Sequence, residues 1–129
     1  MTVGLSTTNT ANAMLNALRN VSFAVAGTYC KLHTGDPGGA GTSAAAAGST
    51  TRPQVTFAAA SGGAIALTGT QPTWTNGGTS ETVTHISVWD SATAGNLLWT
   101  AQLATSKSWA SGDTLTLTSC GLSLSPLAS

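Results

Sequence analysis

Hydrophobic and polar positions follow two different rhythms along the chain, and the change falls near Gly27. Before it, Ala11, Met14, Leu15, Leu18 and Val21 recur at three- and four-residue spacing, which writes an apolar stripe on a helix. The spacing predicts one N-terminal helix within residues 6–23, centred on 9–22, behind an arm of residues 1–8. Thr8 or Asn9 is expected to cap it and Gly27 to close it, with Arg19 in the last turn.

After Gly27 the period is two. Residues 28–34 read as a strand with Cys30 and Leu32 on one face and Tyr29 and Lys31 on the other. Residues 35–51 then form a long Gly/Ala/Ser/Thr loop, of a length that is usually functional or mobile. Short strands are expected at 54–60 and 64–68, around Trp74, and at 114–118 and 120–125. Residues 82–89 place Thr84, Ile86 and Val88 on one face, and Val83, His85, Ser87 and Trp89 on the other. Residues 97–104 put Leu97, Trp99, Ala101 and Leu103 together. Gly95-Asn96 is a turn signal between these two strands, so they should pair as a hairpin. The fold class is therefore mainly β: an antiparallel sandwich or open barrel with one N-terminal α-helix, in a single domain over residues 1–129 whose β part spans 28–125.

Charge alters this picture most. Charged residues make up 6% of the 129 positions, against about 25% in ordinary domains, and the formal net charge is zero. The four cations, Arg19, Lys31, Arg52 and Lys107, are too few and scattered to form a phosphate-binding patch, so neither nucleic acid nor an anionic membrane is expected as a partner. No stretch approaches the length of a membrane span, and the N-terminus shows no secretion signal. A neutral Thr/Ser/Gly surface resists self-association poorly, which points to protein contact. Cys30 and Cys120 are expected to be reduced thiols.

Candidate chemistry is sparse. His33 and His85 are the only histidines; no nucleophile elbow and no metal-ligand spacing accompanies them. Asp36, Asp90 and Asp113 sit in turn sequences, leaving Glu81 as the one carboxylate outside them. No catalytic residue, cofactor or metal is expected. Asp36-Pro37-Gly38-Gly39 reads as a type II turn with positive φ at Gly38, and His33 is expected to hydrogen-bond loop backbone and so anchor that turn to the sheet. Trp74, Trp89, Trp99 and Trp109 form either core and interface or, if exposed in a row, a sugar-stacking platform.

One stretch carries more than composition. Leu32, His33, Thr34, Gly35, Asp36, Pro37, Gly38, Gly41 and Thr42 resemble an LHTGDPG-x-AGT signature of small virion proteins of tailed bacteriophages. Arg52, Thr84–Asp90, Leu97–Thr100 and Ser111–Leu115 extend the likeness over residues 10–124, with Ala44–Ala47 departing from it. The resemblance implies a virion structural protein, assembled in the bacterial host cytoplasm. Its small neutral domain, without fibrous repeats, makes a capsid decoration protein the first expectation, bound outside the major capsid protein as a homo-oligomer, expected to be a trimer. A minor tail or tail-fibre subunit is the second, and a carbohydrate-binding adhesin module the third. The arm (Met1–Thr8) and the 35–51 loop are expected to reach neighbouring subunits.

Overall fold

A computed structural model describes residues 3–128. It shows a curled antiparallel sheet, a half-barrel, with one helical segment at its N-terminal side. The elements are β1 (Gly4–Leu5), α1 (Asn12–Ala17), β2 (Thr28–His33), β3 (Gln54–Phe57), β4 (Ala64–Thr68), β5 (Thr73–Thr75), β6 (Glu81–Trp89), β7 (Leu97–Trp109), β8 (Thr114–Thr116) and β9 (Gly121–Ser123). Seven strands run in the order β1-β7-β6-β2-β3-β4-β9, and β5 pairs with β8 as a separate ribbon. The mainly β class and the β6–β7 pairing agree with the sequence reading, in its open-barrel form. Of the expected arm, Met1 and Thr2 lie outside the described residues, and Gly4–Leu5 pairs with Thr100 and Trp99 as an edge strand.

The core lies on the concave face. Cys30 and Leu32 from β2, Val55 from β3, Ile86 and Val88 from β6, and Trp99 from β7 are all at most 4% exposed. Strict alternation fails at two places in the β6–β7 ladder, where the register shifts between Val83 and His85 and between Val88 and Trp89. A shift of register puts an extra residue on one strand and turns its neighbours. Val83 belongs to the same hydrophobic cluster as Ile86 and Val88, a cluster that also takes in Ala46 of the loop. Leu97, expected beside Trp99, pairs with Trp89, whereas Trp99 pairs with Val88. The inserted residue, Leu98, enters the core. Phe57 tilts against Trp99 at 5.5 Å between ring centroids.

The irregularity at Leu97–Leu98 is where the helical segment docks. A π-helical turn, Thr7–Ala11, runs straight into α1. Leu98 O accepts from Ser6 N (2.8 Å) and from the buried Thr10 Oγ1 (2.6 Å), and Leu97 O accepts from Asn9 Nδ2 (3.2 Å). Polar residues therefore attach this segment to the sheet, by satisfying carbonyls at the register shift. The cap is Ser6, whose Oγ accepts from Asn9 N, one turn earlier than Thr8 or Asn9. The helix is also shorter than the periodicity predicts. Asn20 adopts a left-handed φ of 62° and Val21 N returns to Asn16 O, which ends the helix before Gly27. The apolar stripe splits: Ala11 and Met14 are half-buried, whereas Leu15 is 65% and Leu18 86% exposed.

Removing the buried hydroxyl tests this docking. Thr10→Val leaves Leu98 O one donor short at nearly constant volume and should destabilise by about 1 kcal/mol. Urea denaturation measures the cost, and hydrogen exchange at residues 9–17 should accelerate.

Candidate functional site

The long loop is the structural counterpart of the sequence signature. It begins where β2 ends, and it folds back over the convex face of the sheet. Alternation on β2 and β6 puts His33, Ser87 and Trp89 on that face, opposite Leu32, Ile86 and Val88. His33 and Ser87 are fully buried beneath the loop and Trp89 is 6% exposed.

A directed chain of hydrogen bonds joins loop to sheet. His33 Nδ1 lies 2.8 Å from Ser43 O, a carbonyl, so this nitrogen carries the proton and donates. Its Nε2 therefore accepts, at 2.7 Å, from Ser87 Oγ. Ser87 Oγ in turn accepts from Trp89 Nε1 at 2.8 Å. Burial holds the His33 imidazole below its ordinary pKa, with the bond to the Ser43 carbonyl partly opposing this. Burial thus favours the neutral ring, in which the two nitrogens take these opposite roles.

Around that chain the signature residues have distinct tasks. Leu32 is core, and its O accepts from Ala46 N (3.0 Å); Thr34 N donates to Ala44 O (2.8 Å). Asp36 Oδ1 accepts from Gly38 N (2.9 Å), and the O of the buried Pro37 accepts from Ser43 N (3.0 Å). Gly38 has the expected positive φ, 72°. The backbone-bonded turn is Gly38–Gly41, closed by Gly41 N to Gly38 O (3.0 Å), two residues beyond the expected turn. The Asp36 side chain closes the stretch before it as an Asx turn, by accepting from Gly38 N. Gly41 (φ 69°) is buried against Leu97 and Trp89. Gly35 is half-buried with Ala44 Cβ close by, and Thr42 is exposed.

The far end of the loop is clamped by residues that the sequence reading left without a role. Glu81 accepts from Ala47 N (3.0 Å) and Gly48 N (2.8 Å), and from Trp109 Nε1 (3.2 Å). Buried Asn76 donates to Thr79 O and Trp109 O and accepts from Gly78 N. Gly77 N reaches Gly48 O, and Trp74 Nε1 reaches Thr51 O. Arg52 lies over the Trp89 ring, 3.8 Å from its centroid, and donates to Ala94 O (2.7 Å). The Asn76-Gly77-Gly78 turn sequence was a visible signal for Asn76; Glu81 had none. The loop expected to be flexible is thus hydrogen-bonded along most of its length.

Chemically this arrangement holds rather than reacts. Ser87 and His33 stand at the distance of an activated nucleophile and its base, but both are sealed from solvent and Ser87 Oγ is also engaged by Trp89. His85 Nδ1 pairs with Thr84 Oγ1 (2.7 Å). Among the described residues, no group of three or more His, Cys, Asp or Glu side chains comes together to hold a metal. No helix among the described residues is long and apolar enough to cross a membrane. Cys30 and Cys120 are free; burial raises both thiols, Cys120 to about 11. The four tryptophans are 2–6% exposed, so they supply no row of exposed rings for sugar stacking.

Two experiments probe the clamp. Gly41→Ala adds a Cβ 2.7 Å from Leu97 Cδ1 and 2.9 Å from Trp89 Cζ2, at positive φ, whereas at Gly38 the nearest atom is Ser43 Oγ at 3.5 Å. Gly38→Ala should cost about 1 kcal/mol, and Gly41→Ala clearly more, about 2 kcal/mol or above, by denaturant midpoints. The second follows from His33. Its folded pKa is depressed, so below the ordinary histidine value of 6.5 the unfolded chain binds more protons than the folded one. Stability from His33 should be complete above that value and decline as pH falls through the folded pKa. His33→Gln should remove this component of the slope, read as the wild-type-minus-variant difference in midpoint between about pH 8 and 5.

Comparison with known proteins locates this architecture. A family model described as "Podophage GP4 fiber I protein gp80" matches residues 4–125, from β1 to beyond β9. No curated protein matches the chain.

Proposed function

The chain belongs to this podophage fiber I family, a phage virion structural family, and on that premise we propose that it is a minor subunit of the tail-fibre apparatus. The observation that carries the reading is the extent of the match: it takes in the helical segment, every strand and the clamped loop. This reverses the order expected from the sequence, where capsid decoration came first. The family is described as that of a fibre protein, and the smallness and neutrality that suggested decoration suit a fibre-base subunit equally.

The subunit works by presenting a fixed surface. Gly39, Ala40, Thr42, Ser43 and Ala44 are exposed at the loop, and all are uncharged. The backbone beneath them is held by His33, Asp36 and Glu81 before any partner arrives. A pre-formed surface loses little conformational entropy on binding, so modest neutral contacts yield net affinity. Tail proteins are the partners in this reading, in place of the major capsid protein.

Locating and counting the protein tests it. Immunogold labelling of virions with quantitative mass spectrometry should find few copies, confined to the tail. Hundreds of copies distributed over the head would overturn the tail-fibre reading and restore decoration.

A further inference from the structure

We propose that the outward face of the helical segment, with the apolar hollow beside it, is a contact between copies of this chain. Among the described residues, the exposed large hydrophobic side chains come from two stretches: Leu15, Leu18, Val21, Phe23 and Val25 in one, Leu124 and Leu127 in the other. The fold brings the stretches together. Leu124 N donates to Gly63 O (2.9 Å) and the Leu127 side chain packs over Gly63. Gly63, Leu124, Phe23 and Val25 share the wall of one hollow of about 370 Å³, which Phe57 and Trp99 also line. Met14 lines it as well, and Leu18 follows Met14 by one helical turn, so a ridge borders the hollow.

Size, shape and charge select the occupant. The seven side chains expose on the order of 600 Å² of apolar surface, at the top of the range for a monomer's largest patch and near the roughly 800 Å² each partner buries in a standard interface. A cavity of about 150 Å³ holds a benzene, so the hollow has room for more than one aliphatic side chain. The same chain carries such side chains in the adjoining ridge, at Leu15 and Leu18. The ridge of one copy entering the hollow of the next fills both. No charged residue lines the hollow, and a net charge of zero sets no long-range repulsion between copies. The nearest cation, Arg19, is turned to Asn16 Oδ1 at 3.2 Å. The contact is independent of the tail reading: a chain found on the head that associates through this face leaves the inference intact.

Sedimentation velocity on the full chain, across concentrations up to about 100 μM, reads the association. The wild type should sediment as an oligomer. Leu18→Asp should weaken association by about tenfold or more with an unchanged melting curve, since Leu18 is 86% exposed and contributes little to the monomer's core. Leu18→Ser provides the same readout should the aspartate variant not fold. Ala40→Asp, on the exposed loop, should associate as the wild type does. A monomeric wild type, full association by the Leu18 variants, or dissociation by Ala40→Asp would each overturn the proposal.

Discussion

A loop that crosses a sheet face must satisfy its backbone amides and carbonyls there, because burial without partners costs about as much as each lost hydrogen bond. Residues 35–51 meet that demand with very few polar side chains. His33 takes a carbonyl, Asp36 and Glu81 take amides, and short stretches of the loop pair with Leu32 and Thr34. Removing this cover would expose Trp89, Leu97 and the His33–Ser87 pair on the convex face. The sheet is therefore buried on both sides near β2, β6 and the start of β7, although it belongs to a chain of only 129 residues.

This demand also accounts for where the scarce charges sit. All four carboxylates accept from a backbone N–H: Asp36 from Gly38, Glu81 from Ala47 and Gly48, Asp90 from Asn96, and Asp113 from Ala110. Charged acceptors make stronger bonds to amides than neutral ones, so each holds a turn or a loop end more firmly than Asn or Ser would. Arg52 acts similarly from the other sign, stacking on Trp89 while its guanidinium holds Ala94 O and Ser91 O. Five of the eight charged side chains thus fix backbone.

The sequence carried the elements and much of the signature, and it lost what depends on pairing. The period-two strands, the β6–β7 hairpin and the positive φ of Gly38 are local properties, legible from alternation and turn chemistry. The face of Leu97 was not, because a register shift is fixed by both strands and leaves no mark in either one. The helix boundary was half legible: Asn20 is a residue type that tolerates the left-handed region, but Leu18 and Val21 continue the helical spacing past it. The bond of His33 to loop backbone was legible from its place at the start of the loop, but which carbonyl it takes, that of Ser43, and its second partner Ser87 were not, since the fold alone brings them to it.

The misread helix faces expose the physical division within the molecule. A helix stripe is ordinarily taken as the side that packs on the domain's own core. Here Asn9 and Thr10 attach the segment with their side chains, and Ser6 with its backbone amide, through hydrogen bonds to the Leu97 and Leu98 carbonyls. Met14, four residues from Thr10, shares its side and lines the hollow with Trp99, whereas Leu15 and Leu18, at the end of a helix that stops at Ala17, stand exposed. Successive carbonyls of an antiparallel strand point to opposite sides, so the Leu98 carbonyl continues the β1–β7 pairing to Ser6, and the residue inserted at the register shift lets the Leu97 carbonyl turn to Asn9 as well.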